Sequence, residues 1–150
     1  MTTEIFVDAD ACPVKGEIER VATRHEIVTY LVSNSGIRPS GNSLIRNVMV
    51  SDKFDAADDW IVERAGAGAI VVTADIQLAD RCLKKGAAVL GPTGKPFTEN
   101  SIGTALAMRE LSSQLRDMGE IRGGGPSFSA ADRSRFLNAL ETMVQKAKRG

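Results

Sequence analysis

The first structured segment of the chain runs Ile5-Phe6-Val7-Asp8-Ala9-Asp10-Ala11-Cys12-Pro13-Val14-Lys15. Its opening apolar run is typical of a buried strand, and Pro13 is a residue favoured in the first turn of a helix. Two carboxylates, Asp8 and Asp10, stand between these two elements. The segment therefore predicts a strand that delivers acidic side chains to the point where a helix begins.

Similar apolar runs, rich in β-branched residues, recur along the chain and alternate with helical patterns. Most of them lack the polar alternation of a half-exposed strand, which indicates a sheet covered on both faces. The predicted strands, about five, are Ile5–Val7, Val28–Val32, Val48–Val50, Ala69–Val72 and Ala88–Leu90.

The helical patterns complete an α/β fold of three layers, with a mainly parallel central sheet flanked by helices. A capping box, Ser129 to Asp132, precedes the final helix. The predicted helices begin near Pro13 and cover Ala56–Ala65, Ile76–Lys84, Ser101–Met118 and Ala130–Lys148, with a glycine-rich stretch at Gly119–Ser127.

Length and composition limit the class of protein. With 150 residues and 43% hydrophobic content, the chain is expected to form one domain, residues 1–150, with 101–150 as a C-terminal helical extension packed on it. Lysine plus arginine and aspartate plus glutamate both number 19, so no global charge attracts nucleic acid or a membrane. Two cysteines and the absence of a long apolar run favour a cytoplasmic protein without a membrane span. The oligomeric state is left open.

Polar side chains follow the predicted strands, and open α/β sheets bind ligands outside the carboxyl ends of their strands. Asp8 follows the first strand, Ser33 and Asn34 follow the second, and Thr73 and Asp75 follow the fourth. Carboxylate oxygens suit a hard cation such as Mg²⁺ or Mn²⁺. We therefore predict an acidic site that includes Asp8, Asp10 and Asp75, with Asp58 or Asp59 from the Asp55–Ile61 run as a further metal ligand.

Each of these carboxylates also has a purely structural interpretation. Asp10 would serve as the N-cap of the helix near Pro13, and Asp75 as the N-cap of the helix that follows it. Asp58 and Asp59 would favour the dipole of their own helix.

Basic side chains that would meet a phosphate backbone are scattered along the chain. The glycine-rich loop after Arg122 exposes backbone amides to an anion, although it equally suits a flexible connector. The basic candidates are Lys15, Arg38, Arg122, Arg133 and Arg135. The predicted substrate-binding set combines three of them with polar side chains at the strand ends, and it consists of Lys15, Ser33, Asn34, Thr73, Arg122 and Arg133.

Four other side chains bear on function. Cys12, near Lys15 and a helix N-terminus, is a candidate for a thiol of low pKa. A Cys–His pair is disfavoured because His25 is the single histidine and nothing orients it. Tyr30 and Trp60 are interpreted as aromatic residues of the core or its edge.

The motifs Ile5–Lys15, Asp55–Ile61, Thr73–Ala79 and Arg122–Gly125, with Phe128 and Asp132-Arg133, resemble the YaiI/YqxD family of uncharacterised bacterial proteins over nearly the whole chain. That family is similar to the PIN-like superfamily, whose members are typically Mg²⁺- or Mn²⁺-dependent nucleases.

The resemblance implies a PIN-like fold and a nuclease that cleaves RNA or single-stranded nucleic acid. Asp8 matches the first-strand aspartate of these nucleases, and Asp75 matches the aspartate of their Thr-x-Asp motif. Asp58 or Asp59 matches the acidic residue of the middle helix. Many relatives have another acidic residue where this chain has Gln77, so Asp10 compensates or catalysis is weakened.

Two rival functions remain at this point. Asp8-x-Asp10 after a strand also resembles the nucleophile and acid/base pair of haloacid-dehalogenase-like phosphatases, although Cys12 and the position of Asp58-Asp59 agree poorly. A non-catalytic nucleic-acid-binding or regulatory module would use Arg122, Arg133 and Arg135, with at most a structural cation.

Overall fold

A computed structural model describes residues 3–34, 41–53, 55–104 and 128–149. The strands are β1 (Glu4–Asp8), β2 (Thr29–Ser33), β3 (Ile45–Met49), β4 (Ala69–Val72), β5 (Ala88–Leu90) and β6 (Pro96–Phe97). The helices are α1 (Lys15–His25), α2 (Ala56–Arg64), α3 (Ile76–Lys84), α4 (99–104 within the described residues) and α5 (Ala130–Arg149). A short 3-10 turn, Ala9–Ala11, joins β1 to the segment before α1.

The strands form one sheet in the order β3-β2-β1-β4-β5-β6. The first five are parallel, and β6 pairs antiparallel with β5. Strand order reverses between β1 and β4, because the chain moves outward to β2 and β3 before it returns to β4. This reversal is the topological switch point, where open α/β sheets leave a crevice at the carboxyl ends of their strands.

Helices cover both faces of the sheet and give it two hydrophobic cores. On one face α1 and α5 pack on Ile5 and Val7, with Phe136 fully buried. On the other, Ile61 of α2 and Leu78 of α3 pack on Phe6. This alternation along β1 follows from the two-residue period of a strand. The predicted three-layer α/β fold is confirmed.

Most element boundaries predicted from sequence agree with the structure, and two strands differ. The strand predicted at Val48–Val50 is Ile45–Met49 in the structure. Its start was missed because the edge strand exposes the polar residues Arg46 and Asn47, which interrupt the apolar run. The two-residue strand Pro96–Phe97 was not predicted. Most of the helix predicted at Ser101–Met118 and the stretch Gly119–Ser127 lie outside the described residues. Of the helices that the structure describes, none has the length and apolarity to span a bilayer.

The turn between β5 and β6 presses against the start of α5. Gly94 in this turn has a φ of 89°, and a Cβ there would lie 2.6 Å from the carbonyl carbon of Arg135 and 2.8 Å from the backbone nitrogen of Phe136. Backbone therefore meets backbone at Gly94, and a side chain has no room. The contact holds against α5 the same hairpin whose Pro92 lines a cavity with Asp8, at the end of β1.

We expect Gly94→Ala to lower the free energy of unfolding by about 2–4 kcal/mol, because it adds a steric clash to the cost of a positive φ. Gly68→Ala is the matched control, since Gly68 has a φ of 88° and no described atom within 4 Å of a built Cβ. It should cost only about 1 kcal/mol. Urea unfolding of both variants measures the difference, and equal losses would show that Gly94 is not a packing contact.

Candidate functional site

The centre of the candidate site is the hydroxyl of Thr73, which follows β4 and is 2% exposed. It donates a hydrogen bond to Asp8 Oδ2 at 3.1 Å and accepts one from the backbone N–H of Asp75 at 3.0 Å. One buried side chain therefore ties Asp8, at the end of β1, to Asp75, after β4. The two carboxylates flank the topological switch point.

Asp75 also caps helix α3. Its Oδ1 accepts hydrogen bonds from the backbone N–H groups of Gln77 at 2.8 Å and Leu78 at 3.2 Å. The N-cap interpretation of Asp75 is therefore confirmed. Among the described residues nothing donates a hydrogen bond to Asp75 Oδ2, so the cap occupies one carboxylate oxygen and leaves the other for a different contact.

Asp10 lies in the 3-10 turn and is held by the end of β2. Its Oδ1 accepts from the Ser33 hydroxyl at 2.5 Å, and its Oδ2 accepts from the backbone N–H of Asn34 at 3.0 Å. The N-cap interpretation of Asp10 is wrong, because α1 begins only at Lys15 and its N-cap residue is Val14. Asp10 is instead fixed against the neighbouring strand, at the same rim as Asp8.

The structure distinguishes Asp58 from Asp59 on helix α2. Asp59 is turned to solvent and pairs with Arg81 Nη2 at 2.9 Å. Asp58 is half-buried, and it faces the negative charges of Asp75 and Asp8. Of the two predicted candidates, Asp58 is the one that the helix directs to the acidic rim.

We call Asp8, Asp10, Asp58 and Asp75 the acidic rim. Burial, followed by the charges of Asp75 and Asp8, raises the pKa of Asp58 from 3.8 to about 6. Burial is also the main cause of the raised pKa of Asp8, which the Thr73 hydrogen bond opposes and the charges of Asp75 and Asp10 reinforce. The carboxylates therefore repel one another at neutral pH, and a cation or protons would relieve the repulsion.

A small cavity opens beside Asp8. It has a volume of about 30 Å³, enough for about one water molecule, and its lining includes Asp8, Cys12, Thr73 and Pro92. The proposed low pKa of Cys12 is wrong, because burial raises the pKa of this thiol and outweighs the Val14 hydrogen bond and the Lys15 charge that lower it. Cys12 is thus a wall of the cavity with little thiolate character.

The predicted substrate-binding residues have separate positions. The hydroxyls of Ser33 and Thr73 hold carboxylates, and Lys15 opens α1 close enough to Cys12 to act on its pKa. Arg133 Nη1 donates to the carbonyl of Pro13 at 2.7 Å and pairs with Glu17 at 3.4 Å. Arg135 pairs with Asp132. Arg38 and Arg122 lie outside the described residues.

Chemically, the acidic rim is a set of hard oxygen donors at the carboxyl ends of the parallel strands. In the part of the chain that the structure describes, no three His, Cys, Asp or Glu side chains form a ready metal-binding group. The four carboxylates share the rim without converging on one point. The arrangement is an electronegative surface in which hydrogen bonds fix Asp8, Asp10 and Asp75.

The sequence did not reveal Pro92 as a neighbour of Asp8. Pro92 belongs to the turn between β5 and β6, and that hairpin escaped prediction because β6 is only two residues long. The Pro92-Thr93-Gly94 sequence is a typical turn signal and would have been the clue.

Fold and rim together define an α/β protein with a mainly parallel sheet and an acidic cluster at its switch point. Residues 6–146 match the family described as "Uncharacterized BCR, YaiI/YqxD family". The chain belongs to this YaiI/YqxD family, which confirms the resemblance drawn from its motifs.

Relatives of similar length support the same assignment. The chain is 58% identical to the UPF0178 protein of Parvibaculum lavamentivorans over 147 residues, 98% of this chain and 97% of the relative. It is 60% identical to that of Sphingopyxis alaskensis over 147 residues, 97% and 96% of the two chains. For a UPF0178 protein of Rhizobium etli the identity is 56% over 144 residues, 96% and 93% of the chains. No solved structure matches the chain.

The raised pKa of Asp58 predicts a stability that depends on pH. Because the folded-state pKa lies above the ordinary value, the folded chain binds more protons between pH 3.8 and about 6, and stability falls as pH rises through that window. In metal-free protein, Asp58→Asn should therefore raise the free energy of unfolding by on the order of 1 kcal/mol at about pH 8 and change it little at about pH 4.

Asp59→Asn is the matched control, because Asp59 is the adjacent residue on α2 and pairs with Arg81 in solvent. It should give no stabilisation at the higher pH. Chemical denaturation with a chelator present measures both variants. A gain in stability from Asp59→Asn equal to that from Asp58→Asn would refute the assignment of the repulsion to the rim.

Proposed function

We propose that the chain is a PIN-like, metal-dependent nuclease that uses Mg²⁺ or Mn²⁺ to hydrolyse phosphodiester bonds in RNA or another single-stranded nucleic acid. The observation that supports it most is the Thr73 hydroxyl, which holds Asp8 and Asp75 together at the switch point. An enzyme of this kind needs carboxylates from neighbouring strands in one place, and the resemblance to PIN-like nucleases assigns that role to the same two residues.

The donor set fits a divalent cation by its chemistry. Asp8, Asp10, Asp58 and Asp75 offer carboxylate oxygens, the ligands that Mg²⁺ and Mn²⁺ favour, and their mutual repulsion favours a positive charge among them. When bound, such a cation supplies an activated water and stabilises negative charge on the phosphate. Asp59 is less suited because Arg81 already neutralises it.

The chain's own residues then have distinct tasks. Ser33 and the backbone of Asn34 orient Asp10, and Thr73 orients Asp8, so each carboxylate is held by a neighbouring strand end. Lys15, whose charge acts on Cys12 beside Asp8, is a candidate to meet substrate phosphates near the rim. Arg133, which is bonded to Pro13 and paired with Glu17, is a second candidate. Arg122 remains a prediction for the same role.

A non-catalytic nucleic-acid-binding or regulatory module is the second candidate. It is favoured by the lack of a ready metal-binding group among the described residues and by Gln77, which occupies a position that is acidic in many PIN-like relatives. A haloacid-dehalogenase-like phosphatase is less favoured. Both Asp10 oxygens accept hydrogen bonds within the protein, which does not suit an acid/base group.

Addition of Mn²⁺ should raise the melting temperature of the wild type, because a cation that binds only the folded rim stabilises it by mass action. The stabilisation is about 3 kcal/mol at a hundredfold excess over Kd. Asp8→Asn should reduce the shift strongly, and Asp80→Asn, which breaks only the pair with Lys84 on α3, should retain it. An equal shift in wild type and Asp8→Asn, measured by calorimetry, would place the cation elsewhere.

Cleavage of single-stranded RNA or DNA with Mn²⁺ or Mg²⁺ should appear in the wild type and fall at least a hundredfold in Asp75→Asn, because the cation loses an anionic ligand (about 3 kcal/mol). Asparagine is also a good N-cap, so α3 keeps its first turn and the loss reports charge. Asp80→Asn should cleave like the wild type.

Two other results would replace the proposal. Hydrolysis of a small phosphomonoester through a covalent aspartyl phosphate at Asp8 would indicate the phosphatase. Salt-dependent binding of nucleic acid without cleavage, with a smaller salt slope in Arg133→Ala, would indicate the binding module.

A further inference from the structure

Three aromatic rings cluster on the face of the sheet that α2 covers, beginning at Phe6, two residues before Asp8 along β1. Phe6 of β1 stacks on Tyr30 of β2 with ring centroids 5.2 Å apart and an interplanar angle of 15°. Trp60 of α2 lies against both, with centroids 5.7 Å from Tyr30 and 6.1 Å from Phe6. Phe6 is buried, whereas Tyr30 and Trp60 are only half-buried. The cluster therefore extends from the core to the surface.

Two arginines lie over the two half-buried rings. The guanidinium of Arg64 is 4.0 Å from the centroid of Trp60, and that of Arg46, the register partner of Tyr30 on β3, is 5.9 Å from the Tyr30 ring. Both arginine side chains are exposed. We call Tyr30, Trp60, Arg46 and Arg64 the aromatic ledge.

The aromatic ledge borders a pocket of about 320 Å³, lined by Glu4, Phe6, Tyr30, Trp60 and Arg64. That volume is at the lower end of the range for small-ligand sites. Two carboxylates lie nearby: Glu4 accepts from the Tyr30 hydroxyl at 3.1 Å, and Glu63 pairs with Arg64 at 3.4 Å. Because both side chains of the Glu63–Arg64 pair are exposed, the pair is weak and a phosphate can replace Glu63.

The chemistry of the aromatic ledge selects its ligand. A cationic ligand would find the ring faces already covered by guanidinium groups, which occupy the positions where a cation–π contact would form. A planar ligand with a negative charge is complementary, because bases stack on aromatic rings and on guanidinium planes while arginines meet phosphates.

We propose that the aromatic ledge binds a base and the adjoining phosphates of a single-stranded nucleic acid. The proposal rests on the proposed function for the identity of the strand, and it adds a second point of contact to the same substrate. The base stacks against the Arg64–Trp60 layer or the Arg46–Tyr30 layer, and Arg46 and Arg64 contact the adjoining phosphates.

Helix α2 connects the aromatic ledge to the acidic rim. Asp58 faces the rim, and Arg64 lies six residues later on the same helix, about 9 Å along its axis. Along β1 the distance from Glu4 to Asp8 is about 13 Å. At about 3.4 Å per stacked nucleotide, roughly four nucleotides span the distance of about 13 Å from Glu4 to Asp8.

Trp60 is the sole tryptophan of the chain and reports on the aromatic ledge directly. The test titrates metal-free protein, in EDTA, with a single-stranded oligonucleotide of about six nucleotides, and follows Trp60 fluorescence and the anisotropy of a labelled strand. We expect quenching of Trp60 that saturates with the same Kd as the anisotropy.

Three variants refine the test. Tyr30→Leu should raise Kd about five- to hundredfold through loss of a stacking surface. Arg64→Gln should weaken binding and lower the slope of log K against log salt by about one. Arg20→Gln, an exposed arginine on α1 at the other face of the sheet, is the matched control and should leave Kd unchanged. Melting temperatures confirm that each variant is folded.

The outcomes separate this inference from the nuclease proposal. Anisotropy without any Trp60 response, an unchanged Kd in Arg64→Gln, or no binding at all would overturn the aromatic ledge, even if metal-dependent cleavage occurs. If Trp60 quenching depends on Arg64 and Tyr30 but no metal ion supports cleavage, the aromatic ledge is supported and the nuclease proposal is refuted. With both activities present, Arg64→Gln should raise KM for cleavage and leave kcat near the wild-type value.

Discussion

The hydrogen bonds of one buried threonine hydroxyl organise the site. Thr73 links the carboxylate that ends β1 to the backbone at the start of α3, across the two strands between which the strand order reverses. Without this link, Asp8 would be a half-buried charge without a described hydrogen-bond donor, a costly arrangement. The hydroxyl of Ser33, at the end of β2, likewise donates a hydrogen bond to the carboxylate of Asp10. The position of the rim is therefore a consequence of the parallel topology.

That organisation has an electrostatic cost. The chain as a whole is balanced, with 19 basic and 19 acidic residues, yet carboxylates are collected at one edge where burial and mutual repulsion raise the pKa of Asp8 and Asp58. A fold gains nothing in stability from such a grouping. Burial and repulsion at the rim therefore oppose folding at neutral pH, and bound protons or a cation would relieve them.

Local signals in the sequence predicted most of the fold, and contacts between distant residues decided the rest. Helix α3 and strands β4 and β5 begin and end where their apolar runs predict, and the Ser129–Asp132 capping box forms. The edge strand β3 and the two-residue β6 carry weak patterns. The choice of Asp58 over Asp59 and the anchoring of Asp10 by Ser33 depend on neighbouring elements. The spacing of residues within one segment cannot predict these contacts, because they form between segments that are distant in the sequence.

Gln77 places an uncharged side chain two residues after Asp75, in the first turn of α3. Gln77 is exposed and its backbone caps onto Asp75, so this position supports the helix without adding charge to the rim. Asp10, held by two donors at the end of β2, and Asp58, directed to the rim by α2, supply negative charge that Gln77 does not. Since α2 also carries Trp60 and Arg64, the same helix that completes the rim presents the aromatic ledge. Its orientation on the sheet therefore sets both the charge of the rim and its distance from the ledge.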